Sequence, residues 1–130
     1  MYKVLITTVP FGATNQFPLE LLESTGIEYI INPLNKRLTE DELAEIVPGI
    51  DIIIAGTEPI TDFVMEKANK LKMISRVGIG LDNIDLMAAK KRGIKVSYTP
   101  DAPAPAVAEL TIGIMITLLR SVQLSNIEMH

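Results

Sequence analysis

Apolar residues along the chain follow two alternating rhythms. Short runs rich in Val and Ile recur at 3–9 (KVLITTV), 27–32 (IEYIIN), 51–56 (DIIIAG), 72–77 (KMISRV) and 94–98 (IKVSY). Each is almost continuously apolar, as a strand buried on both faces is. Between them, residues 17–25, 39–47, 61–70 and 83–92 set their apolar side chains at three- and four-residue steps, the spacing of one helix face. Strands alternating with helices predict a parallel sheet, because right-handed crossovers lay the helices over its faces. The expected fold class is therefore α/β: a doubly wound, five-stranded parallel sheet of flavodoxin-like order.

The punctuation agrees with these boundaries. Thr39 and Thr61 stand where helix N-caps belong, and Glu42, three residues after Thr39, completes a capping-box pattern. Gly26 and Gly93 fall just past helix ends. After the fifth strand the pattern changes, with three prolines among residues 99–105 (TPDAPAP) forming a stiff linker. Pro105 is placed to open a helix over 106–123 (AVAELTIGIMITLLRSVQ), where its missing N–H is not needed. The chain thus divides into 1–100, the sheet domain, and 101–130, linker and long helix.

That last helix has no continuous polar face, so it must be buried nearly all round. Four helices are expected to suffice for five strands, which leaves this one without a partner in the chain. Each such side chain left in water forgoes roughly 1.5–3 kcal/mol. A second copy of the chain, or a second domain, is the expected cover.

Composition narrows the class. In 130 residues, 48% are hydrophobic and 22% charged, without repeats or low-complexity tracts, as in one globular domain. The formal net charge of −4 comes with no basic patch, which argues against nucleic acid. The start MYKVLITTV has no signal-peptide pattern, and the longest apolar stretch, 111–119, is about half a membrane span. Neither a membrane protein nor a secreted one is expected, and a cytoplasmic location fits. Cysteine is absent, which excludes disulfides and thiol chemistry. No metal-ligand cluster is visible, and the single histidine, His130, is the last residue, a poor place for a catalytic imidazole.

In a doubly wound sheet, ligands sit at the carboxyl ends of the strands. The loop after the fourth strand, RVGIGLDN, resembles a dinucleotide fingerprint but has Asn83 in place of the third glycine and follows the wrong strand. What remains is a simpler device: backbone N–H groups around Gly78, Ile79 and Gly80, at an expected helix N-terminus, form a small anion nest. Arg76 could add a guanidinium, so the loop suits a carboxylate or phosphate. The competing reading is that the glycines merely solve a turn and Arg76 is a solvated strand-end charge. Asp85 reads as a helix-start carboxylate, and Glu58 and Glu109 as structural. The first loop, TTVPFGATN, faintly suggests an FMN phosphate loop, but its proline and the scarcity of aromatic residues oppose a flavin. The third strand ends in Ala55-Gly56, not in the phosphorylatable aspartate of a receiver domain.

Residues 71–122, from LKMISRVGIGLDNIDL through TPDAPAPAVAEL to TLLRSV, resemble the D-2-hydroxyacid dehydrogenases, and in particular their phosphoglycerate dehydrogenase branch. The upstream segments RLTEDELAEIV and DIIIAGTEPIT extend the likeness to about residue 37. The resemblance implies the amino-terminal, flavodoxin-like substrate domain of an NAD-dependent enzyme. It also implies that Ile79 and Gly80 hold the substrate carboxylate, Arg76 faces the substrate, Gly56 and Thr57 line the cleft, and Ile79 and Val107 lie toward the nicotinamide. The helix from 106 to 122 would contribute to a homodimer. The family's catalytic Arg, carboxylate and His, and its GxGxxG, belong to parts this sequence does not contain. No catalytic residue is therefore expected here, and the chain reads as an amino-terminal fragment of a dehydrogenase for a small 2-hydroxy or 2-oxo acid. The alternative is a self-contained domain that senses a small organic acid; a reading frame ending at His130 would favour it.

Overall fold

The structure is a computed structural model and describes residues 2–129. His130 lies outside the described residues. The elements run β1 (Lys3–Ile6), α1 (Phe17–Ser24), β2 (Glu28–Ile31), α2 (Glu40–Ile46), β3 (Ile52–Ala55), α3 (Asp62–Lys67), β4 (Met73–Arg76), α4 (Leu86–Lys91), β5 (Lys95–Tyr98), α5 (Ala104–Leu119) and α6 (Val122–Met129). All five strands are parallel, in the order β2-β1-β3-β4-β5. That is the flavodoxin-like order, and it reverses direction between β1 and β3. Two compact units are distinguished, Met1–Thr99 and Pro100–His130.

Local signals explain the helix starts. The Thr39 side chain accepts from the Glu42 N–H while the Glu42 carboxylate accepts from the Thr39 N–H, a complete capping box. Thr61 caps α3 and Asp85 caps α4 through the Ala88 N–H at 2.9 Å. Gly26 (φ 69°) and Gly93 (φ 70°) end α1 and α4 in the left-handed region, where a Cβ is unfavourable.

Coverage of the sheet departs from the expectation. A β1→β2 crossover runs opposite to the three later ones, so α1 lies on one face and α2, α3 and α4 on the other. On the latter face α2 packs on α3 and α3 on α4. The cross-strand row Leu5–Ile53–Ile74 is fully buried beneath them, flanked by Ile30 and Val96. On the opposite face Ile52, Ile54 and Met73 are only half-buried, and α1 has no buried residue. Four helices do not suffice, because three share one side.

The expected helix over 106–123 is also revised. It starts at Ala104, with Pro105 in its first turn, and stops at Arg120. Ser121 adopts φ 52°, and α6 continues at a bend of 58°. Every residue of α5 except Thr117 is exposed. Among the described residues no single helix is long and apolar enough to cross a membrane; α5 and α6 together would be, but for the bend.

Candidate functional site

At the carboxyl ends of β1 and β3, where the strand order reverses, lies a cleft of about 280 Å³. It is lined by residues 7–10 after β1, residues 56–58 after β3, Arg76 and Val77 at the end of β4, and Arg37. Its floor is polar. The single proton of the Thr7 hydroxyl is shared between the Ile54 carbonyl at 3.1 Å and Glu58 Oε1. The Gly56 N–H is shared between the Thr7 hydroxyl at 3.1 Å and Glu58 Oε1 at 3.0 Å. Glu58 is only 2% exposed. A Cβ at Gly56 would stand 2.9 Å from Glu58 Oε2 and 3.3 Å from the Thr8 Cβ, so glycine lets the two loops close on one another.

Two further groups fix the loop after β3. Arg37 donates from Nε and Nη2 to the Thr57 carbonyl at 3.2 and 2.7 Å. Asn83 donates from Nδ2 to the carbonyls of Glu58 at 2.8 Å and Gly56 at 3.3 Å. Asn83 occupies the place of the missing third glycine of the dinucleotide pattern. Its amide is needed to tie the β3 and β4 loops together.

The β4 loop differs from the expectation in one respect. Gly78–Gly80 is not a helix N-terminus: residues 77–85 separate β4 from α4, Ile84 pairs with Ile60 in an isolated parallel bridge, and Asp85 caps the helix. The Gly78 N–H is already engaged by the Thr99 hydroxyl. The nest therefore reduces to the N–H groups of Ile79 and Gly80, which donate to no protein acceptor among the described residues. A pyrophosphate cradle does not fit here, because the helix end it would need carries the Asp85 carboxylate.

Arg76 sits at the carboxyl end of β4, half-buried. Its Nη1 turns back to the Val77 carbonyl, while Nε is buried without any hydrogen-bond partner. Gly78 (φ 143°) makes room for this guanidinium, since a Cβ there would lie 2.5 Å from Nη1. A buried, unpaired guanidinium N–H is costly, and an acceptor brought by a ligand would relieve it. Arg76, Gly56 and Thr57 thus line one cleft, with Ile79 and Gly80 in the adjoining loop. Val107 is on α5 in the second unit and is 59% exposed.

Residues 4–125 match the family described as D-isomer specific 2-hydroxyacid dehydrogenase, catalytic domain. The chain belongs to this family. It is 41% identical over 96 residues to a hydroxypyruvate reductase of Thermotoga maritima, covering 73% of this chain and 31% of that protein. It is 38% identical over 124 residues to a D-3-phosphoglycerate dehydrogenase of Methanocaldococcus jannaschii, covering 94% and 22%. Among solved structures, the NAD+-bound 3-phosphoglycerate dehydrogenase of Entamoeba histolytica superposes with a TM-score of 0.79 at 31% identity, covering 89% of this chain and 38% of that one. The chain thus spans between about a fifth and a third of the length of the two curated relatives.

Sequence reasoning missed Thr7, Arg37 and Thr99. Thr7 and Thr99 lie just past strand ends, and that position was the available signal. Arg37 lies between elements, and nothing local marks it.

Proposed function

We propose that this chain supplies the acid-holding part of a nicotinamide-dependent 2-hydroxyacid dehydrogenase. The single observation that carries the reading is the pairing of unfilled donors at the strand ends: the N–H groups of Ile79 and Gly80, and the buried Nε of Arg76. A carboxylate takes two N–H donors well, and each charge-assisted bond contributes roughly 1.5–3 kcal/mol. The substrate would be a small 2-hydroxy or 2-oxo acid, its carboxylate on Ile79 and Gly80, Arg76 beside it, and Gly56 and Thr57 closing the cleft.

NAD supplies or accepts the hydride in such an enzyme. These residues bind and orient the acid; Ile79 and Val107 would lie toward the nicotinamide, and the dinucleotide itself would be held by residues outside this chain. The half-covered sheet face and the exposed apolar α5 support that division, as does the share of each relative that the chain spans. We expect α5, over residues 106–122, to join two copies in a homodimer, and the whole enzyme to work in the cytoplasm. Relatives named hydroxypyruvate reductase and D-3-phosphoglycerate dehydrogenase leave the far end of the substrate open between hydroxyl and phosphate.

The test is an assay of the 130-residue chain with NADH and hydroxypyruvate or glyoxylate. No NADH oxidation above a no-protein control is expected, and turnover by the chain alone would contradict the assignment of the chemistry to other residues.

A further inference from the structure

We propose that Asn83 is a positioning residue for the bound acid: its side-chain amide sets the β4 loop against the β3 loop, and acid affinity depends on that setting. The inference rests on the reading of Ile79 and Gly80 as the carboxylate seat.

Backbone hydrogen bonds join the two loops at either end. On one side the Val77 N–H donates to the Ala55 carbonyl at 2.9 Å. On the other, the Ile60 N–H donates to the Asn83 carbonyl at 2.8 Å and the Asp85 N–H to the Ile60 carbonyl at 3.0 Å. Between these ties, segments 56–59 and 78–82 share no hydrogen bond among the described residues. The Asn83 side chain closes that gap, because its Nδ2 reaches back to the Glu58 carbonyl at 2.8 Å and the Gly56 carbonyl at 3.3 Å. Two carbonyls call for a group with two protons, which the amide nitrogen has and a carboxylate of the same shape does not.

Asn83 is thus held at its backbone and at its tip, three residues after Gly80. The Ile84 N–H donates to the Leu81 carbonyl at 3.0 Å and folds residues 81–84 into a turn. The link from Asn83 to Gly80 is therefore short and constrained, and a displacement of Asn83 is carried to the N–H groups of Ile79 and Gly80. Those two donors must converge on one carboxylate, and a misplacement of about 1 Å in such an oriented contact is costly. Both amide protons of Asn83 are spent on loop carbonyls, so its effect on the acid passes through the loops.

The experiment titrates the nitrogen-15-labelled 130-residue chain with glyoxylate and follows backbone and side-chain amide shifts. In the wild type, the Asn83 side-chain protons and the Ile60 amide are expected to shift along the same saturation curve as Ile79 and Gly80. Asn83→Ala should weaken binding at least about fivefold and abolish the Ile60 response while Ile79 and Gly80 still move. Thr99→Val loosens the β4 loop at Gly78 instead; it should weaken binding but keep the Ile60 response, which separates positioning by Asn83 from general loosening of the loop. Should Asn83→Ala lose its dispersed spectrum, the wild-type response of the Asn83 side chain and Ile60 decides. Saturable shifts at Ile79 and Gly80 with those two groups unmoved, or undiminished affinity in Asn83→Ala, overturn the proposal and leave the carboxylate seat intact. Glyoxylate that leaves Ile79 and Gly80 unmoved overturns both.

Discussion

Gly78 and Thr99 are joined twice. The Gly78 N–H donates to the Thr99 hydroxyl at 2.7 Å, and the Thr99 N–H donates to the Gly78 carbonyl at 3.0 Å. This clamp anchors the β4 loop to the end of β5, and it holds Gly78 at φ 143°, which L residues avoid. Gly78→Ala combines that strain with a clash against the Arg76 guanidinium. A loss of about 1–3 kcal/mol in urea unfolding is expected, together with weaker acid binding.

Thr7 ties the loops after β1 and β3. Thr7→Val removes a hydroxyl that meets Ile54, Gly56 and Glu58 and leaves a buried carboxylate oxygen short of a donor. The expected cost is about 1–3 kcal/mol, again by urea unfolding, with Thr7→Ser losing distinctly less.

Acid stability has a source far from the cleft. Asp51 accepts from the Lys3 N–H at 3.0 Å, and the Lys72 ammonium lies 3.1 Å away; these two contacts, in that order, hold its carboxyl below the usual aspartate value. Because the folded value is the lower one, the stabilisation is present above the unfolded value near pH 4 and is lost as pH falls through the folded value. Asp51→Asn should lower stability at neutral pH and flatten the decline below about pH 4, read from urea midpoints across that range.

The exposed apolar side chains of α5 should drive association. Sedimentation of the chain is expected to show concentration-dependent dimers, and Ile112→Glu with Leu119→Glu to return monomers without loss of the Met1–Thr99 unit's helicity. A wild-type monomer at high concentration would contradict this.

The framework of the sheet was readable because its signals are local. Continuous Val and Ile runs marked all five strands, and Thr39, Thr61, Gly26 and Gly93 marked helix ends through caps and turns that involve only near neighbours. What escaped depends on distant pairings. The bridge of Ile84 to Ile60 turned the expected start of a helix into an extended link, so the nest lost its helix end. The partners of Thr7, Arg37 and Asn83 are likewise loops separated from them by at least 20 residues. The break after α5 arises from a left-handed serine, Ser121, just past the apolar run, where no glycine or proline marks a turn.

The most direct test of the acid-holding role is the binding of glyoxylate, the smallest 2-oxo acid, to the 130-residue chain, followed residue by residue through backbone amide shifts. Saturable shifts of the Ile79 and Gly80 amides, with the Arg76 Nε resonance moving in step, are the expected result. Saturable binding that leaves those three groups unmoved and perturbs another surface would contradict it.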